Sequence, residues 1–194
     1  MKLKHLTLLA VALLFVLTGC QNQKDADSHK ILVAYFSATG TTKHAAEDLA
    51  KAMDGTLFEI VPAQPYTAAD LDWKNPESRS SVEMNKKASR PEIKNKVADI
   101  GQYDIVFIGY PIWWFKAPTI INTFIEQNDL KGKTIIPFAT SGGSPIKPSE
   151  KKLEKQYPEL EWAPGKLLNK YTPESLEEWK KEILAEDQPQ EATK

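Results

Sequence analysis

The chain reads as an α/β protein built on a parallel sheet, and three observations point that way. Short apolar runs alternate with segments of helical periodicity. The run Ile105-Val106-Phe107-Ile108-Gly109-Tyr110 is apolar almost throughout, as in a strand covered on both faces. Three of the runs empty into loops of small, hydroxyl-bearing or aromatic residues.

Ile31-Leu32-Val33-Ala34-Tyr35-Phe36 is the first run, and Ser37-Ala38-Thr39-Gly40-Thr41-Thr42 carries it into a helix predicted over Thr41–Met53. That helix places Ala45, Ala46, Leu49, Ala50 and Met53 on one face, with Glu47 one turn before Lys51 on another. Asp54-Gly55 turns the chain into Thr56-Leu57-Phe58-Glu59-Ile60-Val61, whose alternation predicts an edge strand that Pro62 stops. Residues 62–91 hold Tyr66, Trp73 and Arg79 and at most one helix, near 80–88. A connection that long is expected to line a site. The run at 105–110 empties into Pro111-Ile112-Trp113-Trp114-Phe115-Lys116, and Pro118 opens a helix whose Ile120, Ile121, Phe124 and Ile125 share a face. Thr134-Ile135-Ile136-Pro137-Phe138-Ala139 is the next strand, with Pro137 costing it a ladder hydrogen bond, and it empties into Thr140-Ser141-Gly142-Gly143-Ser144. After a poorly patterned stretch, residues 162–168 offer a last strand. Thr172-Pro173 then caps a closing helix that carries Leu176, Trp179 and Ile183 inward.

The first residues have the character of an export signal: Lys2 and Lys4 precede an apolar run, 6–17, too short to span a bilayer. The run ends in Leu17-Thr18-Gly19-Cys20, which resembles the lipobox of bacterial lipoproteins, and Cys20 is the only cysteine. The expected organisation is a signal at 1–19, a lipidated Cys20 on a tether at 20–29, one domain at 30–184 and a disordered tail at 185–194. This places the chain on the outer face of the cell membrane, held to the lipid bilayer through Cys20. With no second thiol, the domain relies on its core rather than on disulfides. Loss of Lys2 and Lys4 with the signal moves the formal charge from −1 to −3, a balance that predicts no nucleic-acid partner.

The loop at 37–42 has the chemistry of a phosphate cradle. The first turn of a helix presents unpaired N–H groups and the positive end of its dipole, small residues allow close approach, and Ser37, Thr39, Thr41 and Thr42 add hydroxyls. It lacks the lysine of a nucleotide-triphosphate loop and the three glycines of a dinucleotide fingerprint, so a monophosphate fits better. Taken alone, the loop is equally a turn that only caps its helix. In a parallel sheet with right-handed crossovers all three loops leave at one carboxyl edge. That sets the cradle, the Trp113 and Trp114 pair, and the glycine-serine turn around one crevice. Either tryptophan alone is as readily a core cap, but the pair, flanked by Pro111 and Phe115, suggests a wall for a flat ligand. A planar ring system with one phosphate describes FMN.

Here the chain resembles the flavodoxin family, in particular a bacterial flavodoxin-like group with an Ile-Trp-Trp second loop. The resemblance spans about residues 30–184. It implies a flavodoxin-like three-layer sandwich on a five-stranded parallel sheet in the order 2-1-3-4-5, with FMN at the switch point. It further implies that Ser37, Thr39, Gly40, Thr41 and Thr42 hold the phosphate, that Pro111, Ile112, Trp113 and Trp114 flank the ring, and that Thr140, Ser141, Gly142 and Gly143 close its other side. The chain departs from the family pattern at Phe115, Lys116, Pro145 and Lys147, where glycines are expected. Lys116 or Lys147 is expected to reach the ring and raise its reduction potential by favouring the anionic reduced form.

The resulting reading is an FMN-binding electron-transfer protein that exchanges electrons with a redox partner protein or a membrane electron carrier. It needs no catalytic residue of its own and no metal: His5 falls in the signal, His29 in the tether and His44 in a solvated helical turn. Two other readings stay open. One is an FMN-dependent reductase of quinone or another small acceptor, and the other is a flavin-free binding or scaffold lipoprotein on the same fold.

Overall fold

Two-residue alternation on strands that are apolar on both faces accounts for the architecture. The computed structural model describes residues 29–186; the signal, Cys20 and the tail from 187 lie outside these. Along β1 (Ile31–Tyr35), Ile31, Val33 and Tyr35 face one core, and Leu32 and Ala34 face the other. β3 (Ile105–Pro111) repeats this, with Ile105 and Phe107 on the first face and Val106, Ile108 and Tyr110 on the second. The first core is closed by α1 (Thr41–Met53) and α5 (Pro173–Glu186), and the second by α3 (Thr119–Gln127) and α4 (Lys147–Gln156). The result is three layers with the sheet in the middle. Both cores close within the described residues, the organisation of a domain that can fold by itself.

The strands run in the order β2-β1-β3-β4-β5, all parallel, with β2 (Thr56–Glu59) on one edge and β4 (Thr134–Thr140) fourth. The expected last strand is in two pieces, β5 (Glu161–Trp162) and β6 (Lys166–Leu167), both paired with β4. Pro137 explains the break. Ile135 and Ala139 accept bonds from Ala163 (2.9 Å) and Leu168 (2.8 Å), so Pro137, midway between them, turns its missing N–H toward the same neighbour. Gly165 packs there against the Pro137 carbonyl, which a Cβ would meet at 2.0 Å. Its N–H turns away and donates to Glu150 Oε1 at 2.7 Å.

The buried carboxylate of Glu150 lies on α4, which takes the place of the poorly patterned stretch. Leu153 is the only large apolar residue among its ten, and Ser149, Glu150 and Leu153 are the ones it buries. Helix α5 starts as expected, with Thr172 and Ser175 exchanging side-chain and backbone bonds at its N-terminus. It continues to Glu186, two residues past the expected end of the domain at 184.

Candidate functional site

The order of strands reverses between β1 and β3: the chain leaves β1 toward β2 on one side and later proceeds from β3 toward β4 on the other. The loops after β1 and β3 therefore diverge and leave a crevice at their carboxyl ends. The loop after β4 borders the same edge.

In the first loop Gly40 sits at φ 93°, where a side chain would be strained, and forms the N-cap of α1 with no side chain bonded to the first turn. Its own N–H donates to Ser37 Oγ at 3.1 Å, which folds the loop onto itself. The first-turn amides of Thr41, Thr42 and Lys43 have no acceptor within the helix and are left to face whatever enters the crevice. Thr39 and Thr41 are exposed at its mouth. Thr42 is instead buried, and its hydroxyl lies 2.8 Å from that of Thr140, also buried. The first and third loops are thus tied together across a sequence separation of 98.

The second loop is a tight hairpin. Trp113 and Lys116 exchange both backbone bonds (3.0 and 2.9 Å), and Trp114 and Phe115 between them hold φ 46° and 59°. Two left-handed residues in succession make a type I′ turn, which ordinarily calls for Asn-Gly. Phe115 stands here where the resemblance led to the expectation of a glycine. The turn exposes Trp114 and Phe115 on the rim. Trp113 is held back: its ring meets Phe36 edge-on at 5.8 Å and Tyr66 at 5.6 Å. Pro111 and Ile112 are half-buried, and the Ile112 N–H donates to the Thr140 carbonyl at 2.9 Å, joining the second loop to the third.

In the third loop the Ser141 hydroxyl accepts from Gly143 (3.1 Å) and Ser144 (2.7 Å). Gly142 and Gly143 are exposed, with open space where a Cβ would stand. Asn169 clamps the loop by accepting from the Ser141 N–H at 2.7 Å and donating to its carbonyl at 2.5 Å. Sequence reading missed Asn169, because nothing local marks an asparagine whose partner lies 28 residues earlier.

Tyr66 brings the segment 62–91 to the crevice. Its hydroxyl donates to Glu83 Oε2 at 2.5 Å, and Arg79 donates to Glu83 Oε1 at 2.6 Å while its guanidinium lies 3.9 Å over the Tyr66 ring. Burial, followed by the bond to the Glu83 carboxylate, pushes the Tyr66 phenol far above its ordinary range, so it stays protonated. The segment is a braced wall behind Trp113. Of the two lysines expected at the ring, Lys147 places its ammonium 3.5 Å from Glu150, and Lys116 lines a separate cavity between α2 (Arg79–Asn85), α3 and α4.

A helix N-terminus open to an anion, an aromatic rim and a glycine turn at the switch point of a parallel sheet define a flavodoxin-like α/β protein. A family model described as flavodoxin matches residues 30–183. The chain belongs to the flavodoxin family. It is 60% identical to a candidate flavoprotein from Bacteroides eggerthii DSM 20697, over 81% of this chain and 98% of that one, with a TM-score of 0.79. A second, from Bacteroides uniformis ATCC 8492, is 56% identical over 79% of this chain and 98% of that one (TM-score 0.76). A flavoprotein from Lactobacillus acidophilus NCFM, solved in complex with FMN, is 25% identical over 72% of this chain and 93% of that one (TM-score 0.58). No curated protein matches the chain.

Proposed function

We propose that this chain is an FMN-binding electron-transfer protein, held by lipid on Cys20 at the outer face of the cytoplasmic membrane, where it serves a redox partner protein or a membrane electron carrier. The observation that carries the flavin reading is the N-terminus of α1. It lies at the switch point, is capped by no side chain, and is entered through Gly40 at a φ that glycine adopts freely. The residues present fit FMN. The first-turn amides with the Thr39 and Thr41 hydroxyls suit its phosphate, the Trp114 and Phe115 rim suits its ring, and the open backbone at Gly142 and Gly143 allows close approach. The complex of the Lactobacillus acidophilus relative with FMN supports the same ligand.

Bound FMN supplies the electron-accepting ring. The residues of this chain hold its phosphate, orient the ring and shield one side of it from water. The lipid reading rests on Leu17-Thr18-Gly19-Cys20. The flavin reading is tested by titrating the chain from Gln21 onward with FMN and following the quenching of flavin fluorescence, with riboflavin as the phosphate-free control. Saturable FMN binding at least a hundredfold tighter than riboflavin binding is expected. Equal binding of the two would remove the phosphate cradle, and no saturable binding would sink the flavin assignment.

A further inference from the structure

Beside the second loop, between α2, α3 and α4, lies a cavity of about 440 Å³ that the flavin reading does not use. That volume falls in the range of small-molecule sites, about 300–1,000 Å³. Its charge is one-sided: Lys87, Lys116, Lys152 and Lys155 line it, and no carboxylate does. One ammonium is held in place, since Lys152 Nζ donates to the Phe115 carbonyl at 3.0 Å. Met84 and Leu153 add apolar wall. The first residue of α3, Thr119, also lines the cavity and brings the positive end of that helix to it. Thr119 is 8% exposed and its hydroxyl is buried out of reach of solvent, so this residue is part of the cavity's floor.

We propose that this cavity is a second ligand site, for a small organic anion with an apolar body. The lysines and the α3 terminus take the anionic group, and Met84 and Leu153 cover the apolar part. The volume and the one-sided charge of the cavity converge on one chemistry.

The test follows backbone amide shifts by NMR on the chain from Gln21 onward, both without FMN and with FMN added to excess. The probes are naphthalene-2-carboxylate, its uncharged partner naphthalene-2-methanol, and inorganic phosphate. Saturable shifts at Lys116, Thr119 and Asn122 are expected with the carboxylate in both states, at least tenfold tighter than with the alcohol or with phosphate. Lys116→Gln with Lys155→Gln should weaken carboxylate binding about tenfold, with the remaining amide spectrum marking an intact fold. Equal affinity for the alcohol would reduce the site to an apolar hollow, and equal affinity for phosphate would reduce it to diffuse counter-ion attraction. Shifts confined to Thr39, Gly40 and Thr41, or no saturation, would also overturn the proposal. Because the shifts are read at α3, these outcomes are independent of whether FMN binds.

Discussion

The buried pair Thr42 and Thr140 shows how two hydroxyls can serve a site without touching its ligand. At 2.8 Å, out of water, each satisfies the other and pins the first loop to the third. Thr42→Val or Thr140→Val alone strands the remaining hydroxyl and is expected to cost about 1–3 kcal/mol, whereas the double variant should cost less than the sum of the two. Urea unfolding of the four proteins measures this, and strict additivity would mean that the hydroxyls do not depend on each other. Phe115 illustrates the opposite economy. Left-handed backbone costs a residue with a side chain about 1–2 kcal/mol, and Phe115 accepts this at φ 59° while leaving its ring half in water. Phe115→Gly is expected to raise the unfolding free energy by about 0.5–1 kcal/mol, once the greater freedom of glycine in the unfolded chain is subtracted. FMN affinity, read alongside, should fall if the ring is part of the wall. A variant less stable than the parent would show that the turn carries no backbone strain.

At the scale of elements, the segment 62–91 is closed at its base like a drawn purse. Pro62 bridges Ile93, Ala63 donates to Glu92, Lys94 donates to Val61, and the Asn95 amide spans Val61 and Glu59. Beside that base the segment is fastened to α3 by Arg90, which grips both oxygens of Glu126 at 2.7 and 2.8 Å. The pair is partly exposed, so Arg90→Met is expected to cost only about 0.5–1 kcal/mol at neutral pH. The Arg90 bonds, assisted by the Tyr157 hydroxyl and opposed by partial burial, hold the Glu126 carboxyl below its usual range. A depressed carboxyl stabilises the fold fully above the ordinary carboxylate pKa, about 4.3, and loses that contribution as pH falls through its own lower value. The stability gap between parent and Arg90→Met should therefore narrow between neutral pH and about pH 3, as measured by urea unfolding at both. A constant gap would mean that Arg90 acts through packing alone.

For the whole molecule, three loops far apart in sequence converge because every strand of the sheet points the same way. The crevice is a property of topology, and its chemistry is that of the loops. No helix among the described residues is long and apolar enough to cross a membrane. The proposed attachment rests on the motif that ends in Cys20. Cells grown with labelled palmitate should incorporate label into the parent chain and none into Cys20→Ser. An unlabelled parent chain would remove the lipid anchor from the reading.

The fold was legible where local pattern and burial agree. The run at 31–36, the helix Thr41–Met53 and the run at 105–110 bury apolar side chains at a period that the sequence displays. Helix α4 was not legible, because a lysine- and glutamate-rich stretch with one leucine has almost no apolar period, and its helix is held by tertiary contacts at Ser149, Glu150 and Leu153. The three loops were legible by composition, but the use made of each residue was not. Trp113 turns inward to Phe36 and Tyr66, Phe115 turns outward in its place, and Thr42 spends its hydroxyl on Thr140. By itself the sequence determined the layers, the three loops at the strand ends and the glycine that opens α1, because these follow from local periodicity and from the backbone freedom of one residue. Only the tertiary structure decided which aromatic faces the crevice, which hydroxyls remain available, and that four lysines line one cavity beside α3, because such groupings join residues that neither period nor spacing relates.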